Sequence, residues 1–240
     1  MKRTLIISIV FIFTFISCFG INTLLEKSNT VHSNYIRSRC NIVLDAGHGG
    51  KDAGTIAADG TLEKEINLGI VLNLYDFLMF CGINCYTTRD DDTEYYPKGS
   101  DTGRSDLYNR LDFVNNIDDS ILVSIHQNHF EDTSEWGMQV WYTANEASSE
   151  LLANNILDIS KQFLQPNNER LNKVSDNSYY ILYKATAPSV MVECGFMSNY
   201  EENNKLKTDE YQKQLAYTIT MNLCNRACRG GTFFISHCLN

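Results

Sequence analysis

Two histidines and two glutamates occupy positions from which they could act together. His48 lies in "LDAGHGGKDAG" (residues 44–54), where four glycines, two aspartates and one histidine follow an apolar run. His126 ends "ILVSIH" (121–126), Glu193 ends "SVMVE" (189–193), and Glu63 falls in "TLEKEINL" (61–68). Two imidazoles and one carboxylate supply the nitrogen and oxygen donors of a catalytic zinc site, which takes three protein ligands and keeps a fourth position for water. The other carboxylate can then take a proton from that water. The pattern is dispersed and is not the local H-E-x-x-H of helical zinc proteases. Each residue also has a plainer role. His48 can bond a neighbouring loop backbone, and His126 can be satisfied at a strand end. Glu63 suits the positive end of a helix dipole. Glu193 is the hardest to explain plainly, because a buried carboxylate needs a partner.

The flanking elements decide whether these four meet. "NIVLDA" (41–46) reads as a short buried strand. A helix follows from Thr61, with Ile66, Ile70, Leu74 and Phe77 at helical spacing and Gly82 as its stop. "INCYTTR" (83–89) is a second strand, 90–103 an acidic loop, and about 104–116 a helix. Strands at 121–126, 137–143 and 189–193 come next, with a helix marked by Leu152, Ile156, Ile159 and Phe163 between the last two. Thr208 can cap a final helix carrying Tyr211, Leu215, Ile219 and Leu223 on one face. Strands alternating with helices predict an α/β single domain with a largely parallel central sheet. In such sheets sites form beyond the carboxyl ends of the strands. His48, His126 and Glu193 all follow or end a strand. Glu63, in the first turn of the helix after the glycine loop, shares that edge.

Composition narrows the class. At 240 residues there is room for one sizeable core. A formal charge of −9 and a pI near 5.0, with no Lys/Arg run, exclude a nucleic-acid partner. Lys2 and Arg3 precede the uncharged "TLIISIVFIFTFISCFGI", so residues 1–20 read as a signal peptide or N-terminal membrane anchor. "FISC" resembles a lipoprotein box with Cys18 as the lipidated residue. Cleaved signal, anchor and lipoprotein all place the protein outside the cytoplasm, secreted or held at the envelope. Residues 21–39 form a polar linker, 40–226 the catalytic domain, and 227–240 a tail. The Cys81/Cys85 and Cys224/Cys228 spacings are not those of a zinc ribbon.

At its four motifs the chain resembles the zinc-dependent N-acetylmuramoyl-L-alanine amidases of the amidase-3 family. "LDAGHGGKDAG", "LEKEINL", "SIHQN" and "VECGFMSN" occur in the family's order and approximate spacing. The resemblance covers about residues 41–226. It implies a twisted mixed sheet flanked by helices, a Zn2+ cofactor, and hydrolysis of the amide between N-acetylmuramic acid and L-alanine in peptidoglycan. It implies His48, Glu63 and His126 as metal ligands and Glu193 as the catalytic base. Glu65 stands where the family has Asp. Arg110 and Asn115 in "RLDFVNN" match another shared element, with a structural role implied. The short apolar start, the single catalytic domain without wall-binding repeats, and "QPNNERLNK" (165–173) resemble spore-cortex, germination-specific amidases. An acidic chain without a wall-binding module leaves its positioning to the membrane anchor or to an activating protein partner.

Two rival readings fit the same residues: a catalytically silent peptidoglycan-binding protein, and a zinc peptidase acting on the stem peptide. Among other residues, His129 is a substitute ligand only by proximity to His126. Cys194 is expected on the opposite strand face from Glu193, as packing. Trp136 and Trp141 are expected in core or rim packing rather than on sugar.

Overall fold

A computed structural model of the chain describes residues 40–95 and 105–229, with side chains as far as Cys224. The apolar run 1–20 with Cys18, the linker 21–39, the end of the acidic loop and the tail from residue 230 lie outside the described residues.

Six strands form one sheet in the order β2-β1-β3-β6-β4-β5. They are β1 (Asn41–Ala46), β2 (Cys85–Thr87), β3 (Ser120–Asn128), β4 (Gln139–Thr143), β5 (Lys173–Ser175) and β6 (Ser189–Phe196). The helices are α1 (Glu63–Phe80), α2 (Asp106–Asn115), α3 (Ser148–Phe163), α4 (Tyr180–Lys184), α5 (Tyr200–Leu206) and α6 (Asp209–Arg229). β2, β1, β3 and β6 pair in parallel. β4 runs antiparallel to β6 and parallel to β5, so the sheet is mixed.

The central strands are buried on both faces, which is why they read as nearly continuous apolar runs. One face holds Ile42, Leu44, Val123, Ile125, Val190 and Val192 against the buried sides of α1, α3 and α6. The other holds Val43, Leu122 and Met191 against Leu111 and Val114 of α2 and Ile181 and Leu182 of α4.

α1 buries Ile66, Ile70 and Leu74. Past its end Gly82 sits at φ 74. There Gly82 N–H donates to Met79 O and Ile83 N–H to Leu78 O, the paired bonds of a Schellman cap, for which glycine is the favoured residue. Thr208 Oγ1 accepts from Tyr211 N at the start of α6, as its position predicted. Several details differ from the sequence expectation. Phe163, the last residue of α3, is 54% exposed, and Leu164 after it packs on the core instead. β3 and β6 run two and three residues past His126 and Glu193, with a register irregularity between His126 and Asn128. Among the described residues no helix is long and apolar enough to cross a membrane.

Candidate active site

The site is built at the carboxyl edge of the parallel strands. β1 stops at Ala46 and the chain turns back on itself through reciprocal backbone bonds between Gly49 and Asp52. His48 takes φ 61 in this turn, a left-handed conformation that is costly for a side-chain-bearing residue and occurs where surroundings impose it. Those surroundings are two buried arginines. Arg89 donates to the carbonyls of Ala46, Gly47 and Lys64. Arg110 donates to the carbonyls of Ala46 and His48, and pairs with Asp45 at 2.8 Å. Lys64 ties the far side of the loop, donating to Gly50 O and Asp92.

Asp45 is the hub beneath the loop. It accepts from Thr88, Ser124 and Arg110 on three neighbouring elements. Burial pushes its carboxyl up, but the Arg110 guanidinium and the Ser124 hydroxyl outweigh that and hold it at about 2.

Held this way, His48, Glu63 and His126 converge. One donor atom from each lies within 4.8 Å of the others. Glu63 Oε1 is 3.1 Å from His126 Nδ1 and 3.4 Å from His48 Nε2. The two imidazole rings meet edge to face, 4.9 Å between centroids. The remaining bonds of Glu63 fix it, since it accepts from Thr55 N, Gln127 N and Asn67 Nδ2. Its carboxyl is held far below the usual range: burial opposes this, and hydrogen bonds and charge from both histidines override it. On the outer nitrogen of His48, Asp52 Oδ2 accepts at 2.8 Å, orienting the ring. Burial pulls the His48 pKa down, but Glu63 and Asp52 lift it to about 9. A carboxylate between two imidazoles, with carboxylate support behind one of them, fits a divalent metal of borderline softness.

The glycines make room for this packing. A Cβ on Gly47 would lie 2.2 Å from His126 Cε1 and Nε2, and one on Gly54 2.6 Å from His48 Cδ2.

Glu193 joins from β6, opposite His126 in the strand register. It is 6% exposed, and its Oε2 is buried without a hydrogen-bond partner among the described residues. Burial raises its pKa, His126 pulls back and Glu63 adds to the rise, leaving it at about 7. An unpartnered carboxylate of that basicity beside a metal-type donor set can accept a proton from a water.

The other candidates fall elsewhere. His129 lies exposed beyond β3 and outside the cluster, and Glu65 is exposed. Cys194 is buried on the opposite face, and burial pushes its thiol up. Trp141 packs against Tyr179, 5.1 Å between centroids, while Trp136 stands 41% exposed. Asn115 ties α2 to the chain after α4, bonding Lys184 O and Thr186. Sequence reasoning passed over Asp52, whose signal was its spacing of four from His48. It also passed over Lys64 and Asn67, which lie within the "LEKEINL" motif, and Arg89, which carries no signal without the fold.

Known proteins resemble this chain in sequence and fold. Residues 42–225 match the family described as N-acetylmuramoyl-L-alanine amidase. The germination-specific N-acetylmuramoyl-L-alanine amidase of Bacillus subtilis (strain 168) is 30% identical over 182 residues, 74% of this chain and 76% of that protein. The solved CwlD amidase of Clostridioides difficile, in complex with the GerS lipoprotein, is 35% identical with a TM-score of 0.71, covering 77% of this chain and 96% of that one. An N-acetylmuramoyl-L-alanine amidase from Clostridium difficile 630 is 28% identical with a TM-score of 0.70, covering 81% and 100%.

Proposed function

The chain belongs to the N-acetylmuramoyl-L-alanine amidase family, and from that premise we propose that His48, Glu63 and His126 hold a zinc ion and that Glu193 is the catalytic base. The enzyme hydrolyses the amide between N-acetylmuramic acid and L-alanine in peptidoglycan. The observation that carries the residue roles is one juxtaposition: three metal-type donors within 4.8 Å, and the unpartnered Oε2 of Glu193 one strand away.

A bound zinc ion supplies Lewis acidity, polarising the amide carbonyl and acidifying water. The chain's own groups do the rest. Asp52 and the Glu63 hydrogen bonds keep the donors aimed without reorganisation. Glu193 takes the proton of the attacking water and passes it to the departing amine of L-alanine. The buried setting of Glu193 keeps bulk water from competing for that proton.

Residues 40–226 are the catalytic domain in this reading. Residues 1–20 act as a signal peptide or N-terminal anchor, 21–39 as a linker, and 227–240 as a tail. The working place is the cell envelope, outside the cytoplasm. Similarity to a germination-specific amidase supports the spore cortex as substrate. The GerS lipoprotein held by the CwlD amidase supports an activating protein partner for this chain as well.

The test is product analysis. The full chain, stripped by a chelator, is incubated with peptidoglycan with and without added zinc, and the products are weighed by mass spectrometry. Zinc-dependent release of stem peptides with a free L-alanine amine is expected. Cleavage within the stem would make it a peptidase. No cleavage by zinc-loaded protein, alone or with an added partner, would reduce it to a binder.

A further inference from the structure

The order of the strands puts an unpaired cation on one side of the candidate site. We propose that Lys173 is a specificity-determining residue for the stem peptide, taking the free α-carboxylate of its second residue, the γ-linked D-glutamate. The proposal rests on the amidase reading above and deepens it, from the bond that is cut to the peptide that leaves.

Direction is the first argument. Across the sheet, β1, β3, β6, β4 and β5 are successive neighbours. His48 follows β1, His126 lies on β3 and Glu193 on β6. The two histidines of the donor cluster therefore stand on one side of Glu193, and β4 and β5 on the other. In the proposed reaction Glu193 returns its proton to the departing amine, so that amine lies against Glu193. The peptide attached to it then extends away from the donors, toward β4 and β5.

Register is the second argument. Glu193 pairs with Gln139, and Met191, two residues earlier, pairs with Trp141. Trp141 in turn pairs with Lys173. Paired residues share a sheet face, and so do residues two apart on a strand. Glu193, Trp141 and Lys173 thus lie on the face of His126, with Trp141 the diagonal neighbour of Glu193. The side chains agree. The Lys173 ammonium lies over the Trp141 ring, 5.1 Å from its centroid, so it leans inward from the border strand. Tyr179 packs on the same indole. Burial and the charges of Glu193, Asp176 and Glu63 push the Tyr179 hydroxyl up to about 12, which sets this aromatic wall within the field of the site.

Charge and reach are the third argument. Lys173 is exposed and has no carboxylate partner among the described residues. The other cation of this border, Arg170, is taken up by Glu135 and the Trp136 carbonyl. Asp176 turns its carboxylate back onto the Ser178 backbone N–H and hydroxyl. β6 and β5 are two strands apart, about 10 Å, and the Lys173 side chain covers part of that gap. In the stem, two residues carry the chain from the L-alanine nitrogen to the D-glutamate α-carboxylate, about 7 Å when extended.

The experiment compares two substrates with the zinc-loaded full chain. One is N-acetylmuramoyl-L-alanyl-γ-D-glutamyl-L-lysine; in the other, its D-isoglutaminyl counterpart, that one carboxylate is a carboxamide. Wild type should favour the carboxylate about fivefold in kcat/KM, mainly through KM, and the preference should shrink as salt is added. Lys173→Met keeps an apolar stem over Trp141 and should bring the two substrates within about twofold. Lys173→Arg should keep the preference. No preference in wild type, or one that Lys173→Met leaves standing, overturns the proposal. Binding decides the matter without turnover. Titration of the product L-alanyl-γ-D-glutamyl-L-lysine, followed by NMR, should show about fivefold weaker binding by Lys173→Met than by wild type, with no such loss for the D-isoglutaminyl tripeptide. No binding by wild type, no loss in the variant, or an equal loss for both tripeptides overturns the role of Lys173. Hydrolysis of neither substrate by wild type would count against the amidase reading, with the titration still judging Lys173.

Discussion

His126 and Glu193 are register partners on adjacent parallel strands, β3 and β6. One belongs to the metal-type cluster and the other is the unpartnered carboxylate. Their spacing is therefore set by the sheet and not by loops. Because backbone hydrogen bonds fix it, Glu193→Gln should leave the cluster intact. Turnover should fall by roughly 10²–10⁴-fold while zinc stoichiometry stays unchanged. Activity kinetics paired with metal analysis check this. Comparable turnover in the variant would remove Glu193 from the chemistry.

Metal uptake should release a proton. His48, lifted to about 9 by Glu63 and Asp52 against the pull of burial, is mostly protonated at neutral pH in the metal-free protein. A ligand imidazole must be neutral. Zinc affinity should therefore rise with pH, about tenfold per unit up to about 9, on the basis of one proton exchanged. Chelator competition at several pH values measures the slope, and a flat profile would contradict the assignment of His48.

Gly47→Ala should empty the site without unfolding the chain. Its methyl would stand 2.2 Å from the His126 ring, so the imidazole must swing away. Metal analysis should show loss of zinc while the far-UV circular dichroism is retained. Full zinc occupancy in this variant would show that the ring has another place to go.

The Asp45–Arg110 pair should matter to stability more than to chemistry. Both residues are buried, at 2% and 3% exposure. Asp45→Asn removes one of the two carboxylates paired with Arg110, Asp106 remaining at 2.8 Å, and should cost about 1.5–3 kcal/mol in denaturant unfolding. The folded Asp45 carboxyl is depressed from 3.8 to about 2. Its contribution is thus complete above 3.8 and fades as pH falls toward 2. The stability gap between wild type and Asp45→Asn should narrow across that window. A gap that stays constant would mean Asp45 is not the titrating group.

Sequence and structure agree where a residue's place follows from a strong local pattern. His48, His126 and Glu193 each close a buried apolar run, and Glu63 opens a strongly periodic helix, so their meeting at one edge could be read from parallel strands alone. β5, α4 and α5, at three, five and seven residues, are too short to show a period. The reversal of β4 could not be read either, because a buried strand has the same apolar pattern in both directions. Arg89 was missed for a different reason. Its three carbonyl partners lie 25 to 43 residues away, and only the folded loop brings them within reach.

The two outermost strands, β2 and β5, are each three residues long and flank a sheet whose inner strands are longer. An exposed strand edge is a template onto which another extended chain can add, and short edges limit that template. The sheet thus ends on both sides in borders too brief to recruit a neighbour, with Lys173 adding a charge at the β5 border. This geometry guards against edge-to-edge aggregation, so the long apolar strands that build the hydrolytic edge stay enclosed between sacrificial margins.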